Sequence, residues 1–134
     1  MTNASRRRFA MALATIAIVL PRPAEAANFA GTWVIHGTMG KPAVAEVNPV
    51  CVFTQDGNQL KGTCKGPNGV GPADGTVDGQ NIVFHWAHVA TSYNGMTATT
   101  TFKGTLGAVD AMAGTWTTPT VPDKTGTFTA QKVK

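Results

Sequence analysis

Helical periodicity, long apolar runs, basic clusters and catalytic spacings are all scarce in this 134-residue chain. From residue 27 onward no stretch sets apolar residues at helical spacing among good helix formers, so almost no helix is expected there. The longest mainly apolar run, Ala10 to Leu20, is too short to cross a bilayer. Histidine occurs only at His36, His85 and His88. His85 and His88 are three apart, which on a strand points them to opposite faces and keeps them from sharing a metal ion. No Ser-His-Asp spacing or nucleophile signature stands out, so no catalytic residue is nominated. Two cysteines, Cys51 and Cys64, with no third or fourth ligand beside them, argue against a zinc site. No metal or cofactor is expected.

The first 26 residues read as a cleaved signal peptide. Arg6, Arg7 and Arg8 form a basic start, Ala10 to Leu20 the apolar segment, and Ala24-Glu25-Ala26 a small-residue cleavage site. Ser5-Arg6-Arg7-Arg8-Phe9 also resembles a twin-arginine export signal, and plain export of an unfolded chain fits the basic start equally well. Either route leads to the periplasm or the exterior. The leader also carries four of the eleven cationic residues. Residues 27–134 then form a single domain with seven lysines against six acidic residues, close to neutral. No basic patch is left to suggest nucleic acid or an anionic membrane as a partner.

What the remaining chain does have is glycine and threonine. Seven Gly-Thr pairs begin at Gly31, Gly37, Gly62, Gly75, Gly104, Gly114 and Gly126. Six lead to an apolar residue one step later (Trp33, Met39, Val77, Leu106, Trp116 and Phe128), and the other leads to Cys64. Threonine and aromatic residues suit a pleated, half-buried surface, and glycine permits the bends of a curved sheet. Alternation and turn signals mark eight strands: Ala30–Thr38, Val50–Gln55, Gln59–Lys65, Ala73–Asp78, Gln80–Val89, Thr97–Leu106, Met112–Thr118 and Gly126–Val133. The expected fold is all-β, an eight-stranded antiparallel up-and-down meander barrel, because closure removes the exposed sheet edges. An open two-sheet sandwich is the competing architecture.

A tight turn at Gly57-Asn58 pairs Asp56 with Gln59 and sets Cys51 directly opposite Cys64. That position is a non-hydrogen-bonded pair, where Cα atoms approach to about 4.5 Å. The separation suits a disulfide, and export supplies an oxidising compartment. With Asp56-Gly57 as the loop instead, the cysteines would miss each other.

Period-two reading sends Ile82, Phe84, Trp86 and His88 inward from one strand, and Trp33, Ile35, Phe53, Leu60, Phe102, Leu106, Met112, Trp116 and Phe128 inward from the others. Thr97, Thr99, Thr101, Thr115, Thr117, Thr127 and Thr129 then face outward. Connections after alternate strands are long, at Met39–Pro49, Gly66–Pro72, Ala90–Met96 and Pro119–Thr125, while Gly57-Asn58, Gly79 and Gly107–Ala111 sew up the other end. Ligands enter barrels through mouths, and loops on a rigid scaffold carry function. The expected ligand-binding residues are Ile35, Trp86, His88, Tyr93, Thr100, Trp116 and Phe128. Trp33 and Lys132 are expected to meet at the sewn end and close the barrel through a cation–π contact.

Gly31-Thr32-Trp33 on the first strand, with a basic residue closing the last, resembles the signature of the calycin superfamily, which includes lipocalins and avidins. The avidin and streptavidin branch is similar over most of residues 27–134: Gly57 to Cys64 resembles its second hairpin, Phe84-His85-Trp86 its Trp-bearing fifth strand, Ala98 to Gly104 its Thr-rich sixth strand, and Ala113 to Thr117 its second Trp strand. That resemblance implies Trp86 and Trp116 as pocket aromatics and Thr100 as a polar contact. The family's ring of polar groups around the biotin ureido oxygen falls on Ile35, Met39 and Cys64, which cannot make those hydrogen bonds. The implied ligand is therefore not biotin.

Together these features predict an exported barrel, monomeric or homo-oligomeric, that binds a small, partly apolar molecule. A periplasmic protein-interaction module such as a protease inhibitor is the alternative, with the Gly/Pro loops or residues 27–30 as its contact surface. A small isomerase or cyclase using His88 as an acid–base group is a third reading.

Overall fold

The structure, a computed structural model, describes residues 26–39, 46–67, 69–90, 96–119 and 124–134. These residues form strands, turns and extended chain, with no helix among them. The strands are β1 (Gly31–Met39), β2 (Glu46–Val47), β3 (Val50–Asp56), β4 (Gln59–Gly66), β5 (Gly69–Asp78), β6 (Asn81–Ala90), β7 (Met96–Leu106), β8 (Ala111–Thr118) and β9 (Lys124–Lys132). From β3 to β9 each strand pairs antiparallel with the next in sequence, and β1 pairs with both β3 and β9. The sheet therefore closes on itself as an eight-stranded up-and-down barrel. The seam runs from Trp33 opposite Lys132 to Met39 opposite Gly126.

The short β2 is a ninth segment but not a ninth stave. It continues the ladder of β3 along the same edge of β1, with Val34 opposite Val50 and, further up, Gly37 opposite Val47. Pro49 interrupts that ladder because it has no N–H to donate. Its carbonyl still accepts a hydrogen bond from the Ile35 amide at 3.0 Å.

One expected loop is in fact strand. The stretch Gly66–Pro72 reads as a loop from its glycine and proline, yet β4 and β5 stay paired as far as Gly66 opposite Gly69. Only residues 67 and 68 separate the two strands. Gly71 explains why such a composition belongs in a sheet here. A Cβ at that position would run into the Ala87 carbonyl of β6, so β5 and β6 can approach only through glycine. The other strands lie within two residues of their expected limits.

The hairpin of β3 and β4 turns at Gly57-Asn58, with Asp56 opposite Gln59 and Cys51 opposite Cys64. The two cysteines form a disulfide with their Cα atoms 4.0 Å apart. A bond of this kind belongs to a non-reducing compartment.

The expected inward residues do build the core. Trp33, Ile35, Phe53, Leu60, Ile82, Phe84, Phe102, Met112, Trp116 and Phe128 are buried, and Leu106 packs against them. Phenyl rings fill the middle of the barrel. Phe84 lies 4.7 Å from Phe102 in a stacked pair, and Phe53 and Phe128 meet these two rings edge-on at 5.0 and 5.2 Å. Such offset and edge contacts suit the ring quadrupoles. The threonines expected outside are exposed, apart from half-buried Thr101.

Residues 26–29 close the sewn end. The Ala27 amide donates to the Gly79 carbonyl at 2.8 Å. The Gln55 carboxamide clamps the same segment, donating to the Ala27 carbonyl at 2.9 Å and accepting from the Phe29 amide at 2.7 Å. The Phe29 carbonyl accepts from Trp33 Nε1 at 2.9 Å, and the Phe29 ring is fully buried. Residues 27–29 thus form a floor of the barrel, with Phe29 buried and Asn28 exposed. Lys132 Nζ stands 6.0 Å from the Trp33 ring centroid.

Candidate functional site

Above the phenyl layer the interior changes character. β6, β7 and β8 bring Trp86, His88, Thr100, Thr118 and Trp116 to the end opposite the floor. Trp86 pairs directly with Thr100, and Phe102 with Trp116, so the two tryptophans sit on successive cross-strand rows. Both indoles are buried. Period-two alternation is the local cause: Trp86 and His88 follow Phe84 on one face of β6, and Thr118 follows Trp116 on β8.

The two indoles differ in how their N–H groups are served. Trp116 Nε1 donates to the Thr38 carbonyl of β1 at 3.3 Å. Gly126 makes room for this contact, since a Cβ there would lie 2.6 Å from Trp116 Nε1. Trp86 Nε1, in contrast, is buried with no hydrogen-bond partner among the described residues. Its ring lies against the imidazole of His88, with centroids 4.2 Å apart and planes inclined by 30°.

His88 anchors a short polar chain. Its Nε2 lies 3.1 Å from Thr100 Oγ1, and Thr100 Oγ1 lies 2.6 Å from Thr118 Oγ1. Both threonines are buried. His88 Nδ1 is likewise buried, with no hydrogen-bond partner among the described residues. Two such atoms on neighbouring rings are unusual, because nearly all buried polar atoms find a partner. Hydroxyls donate or accept, so the chain can run in either direction, and the His88 tautomer reverses with it. Chemically, the site offers a fixed N–H donor, a reversible imidazole atom and two aromatic surfaces.

Burial lowers the His88 pKa from the usual 6.5, since desolvation penalises the imidazolium. The sign of the linkage follows. Between the lowered native value and 6.5 the unfolded chain binds more protons than the folded one. Stability is therefore full above about 6.5 and falls as pH drops from there toward the native value. Replacing His88 with glutamine, which can still reach Thr100, should flatten that decline. Urea midpoints of wild type and His88→Gln at pH 8, 6.5 and 5 provide the check. Parallel curves would show that His88 does not titrate as its burial requires.

The expected ligand-binding residues divide into three groups. Trp86, His88, Thr100 and Trp116 lie at one end of the interior. Ile35 and Phe128 are buried deeper, with Phe128 edge-on to Phe102 within the phenyl layer. Tyr93 lies outside the described residues. Thr118 is a member of the polar chain that sequence reasoning missed, although its parity with Trp116 was a usable signal.

Searches against protein-family models and curated proteins find no match for this chain. The class is set by the fold and the site: a closed antiparallel β-barrel with a buried aromatic cluster and a polar chain at one end.

Proposed function

We propose that the protein is an exported barrel, periplasmic or secreted, that binds one small, partly apolar molecule at the end carrying Trp86, His88, Thr100, Thr118 and Trp116. The observation that carries this reading is the pair of buried atoms without a partner among the described residues, Trp86 Nε1 and His88 Nδ1. A buried donor without an acceptor costs about 1–3 kcal/mol, and a bound molecule would recover that cost. An eight-stranded barrel has room for side-chain packing or one small ligand, and here the packed phenyl layer and the polar end divide those roles. The disulfide and the leader-like first 26 residues support export. The resemblance to avidins suggests kinship by the same strand pattern, with a different ligand.

The inhibitor reading is weakened by residues 27–29, which are tied into the barrel floor by Gly79, Gln55 and Trp33. Native mass spectrometry of protein purified from its own host should reveal a co-purified small molecule. Trp86→Ala should lose that molecule and keep the β-sheet circular dichroism of wild type. Equal retention by the folded variant would refute a site at Trp86.

A further inference from the structure

We infer that the ligand is a flat, uncharged molecule with an amide- or lactam-like edge, its carbonyl oxygen on Trp86 Nε1 and its neighbouring polar atom on His88 Nδ1. This inference rests on the pocket proposed above and names what that pocket selects. The indole N–H is a donor only, so the ligand atom facing it must be an acceptor. The imidazole beside it is not restricted in that way. With Nε2 donating to Thr100, Nδ1 offers a lone pair. With Thr100 donating to Nε2, Nδ1 offers a proton. An amide edge, carbonyl next to N–H, satisfies the fixed donor and the first of these states together. Other rings with a carbonyl beside an acceptor are served by the second.

Flatness follows from the wall that the ligand meets. The Trp86 and His88 rings, with centroids 4.2 Å apart and planes inclined by 30°, lie against each other, and each carries one of the two atoms left unpartnered among the described residues. A flat molecule packs against such ring surfaces with the least loss of contact.

The uncharged state follows from what surrounds His88. On the flanking strands its interior neighbours are Gly71 and Ala73 of β5 and Ala98 and Thr100 of β7, none of them ionisable. The ionisable groups of these three strands near it, Asp74, His85 and Lys103, are exposed on the outer face. Lys124 of β9, opposite Thr118, shares the interior parity, and it has contacts of its own. A carboxylate placed against Trp86 would lose its hydration and meet a neutral imidazole, whereas a carbonyl loses far less.

Three probes that share one ring separate the possibilities: benzamide, benzoate and toluene, titrated by calorimetry and ligand-observed NMR at pH 7.5 and 5.5. Benzamide should bind the full-length protein more tightly than either of the others. Trp86→Phe, which keeps a ring and removes the N–H, should weaken benzamide about fivefold to tenfold and leave toluene unchanged. Preference for benzoate, growing as pH falls, would overturn the uncharged ligand and leave the pocket standing. Equal binding of benzamide and toluene, unaffected by Trp86→Phe, would mean that the indole N–H is served by water only, and the inference would fail alone. If no probe binds and host-purified protein carries no small molecule, both the inference and the proposed function fall.

Discussion

Trp33→Ala should lower the unfolding free energy by about 3–5 kcal/mol, the range for truncating a buried aromatic residue. Trp33 is fully buried, and its removal acts at three places. The Phe29 carbonyl loses its donor, the Phe29 ring loses its packing partner at 5.9 Å, and Lys132 loses the ring beneath it. Urea denaturation followed by circular dichroism would measure the loss. Trp33→Phe should recover most of the packing and leave the Phe29 carbonyl unserved, so it should fall between wild type and alanine. Lys132→Met should cost less than about 1 kcal/mol, because the ammonium is at the outer limit of a cation–π contact. If Lys132→Met equals Trp33→Ala, the closing pair is held by charge and not by burial.

The disulfide should contribute about 3 kcal/mol. Its cysteines are 13 residues apart in sequence, and in the loop-closure account a cross-link over about 15 residues removes that much chain entropy from the unfolded state. For a domain of about 100 residues this corresponds to a fall of more than about 10 °C in melting temperature for Cys51→Ser with Cys64→Ser. Burying two hydroxyls at fully buried positions adds to that fall. Cys51→Ala with Cys64→Ala separates the two effects and should melt above the serine pair. Both sulfurs are inaccessible in the folded barrel, so reduction by dithiothreitol should be slow without denaturant and accelerate once urea opens the hairpin. Rapid reduction of the native protein would mean that this hairpin opens independently of the rest.

Much of the barrel was legible because its strongest signals are local. A Gly-Asn turn and two cysteines with compatible parity settled the register of β3 and β4, and alternation then placed Phe84, Trp86, Phe102 and Trp116 inside. The misreadings arose where tertiary contact overrides local composition. Gly66–Pro72 looks like a loop until Gly71 is seen against the Ala87 carbonyl of β6. Phe29 precedes the first strand and has no alternating neighbours, so nothing local announces that it is buried. Gln55 looks like a polar strand end, and its role depends on main-chain atoms of residues 27 and 29. At the candidate site, parity brought Trp86, His88, Thr100 and Trp116 together. Which of their polar atoms are paired depends on distances across three strands, and no periodicity encodes those distances.

The seam between β1 and β9 has a kinetic consequence. Trp33 cannot meet Lys132 until nearly all the chain between them has been made and arranged. The neighbouring hairpins need only short excursions, but this last pairing spans the whole meander, and such non-local contacts slow folding. Until it forms, the first and last strands both present bare edges that can recruit other chains. A copy whose β9 has not yet been made therefore remains an open sheet, and completing the cylinder is the last of the pairings.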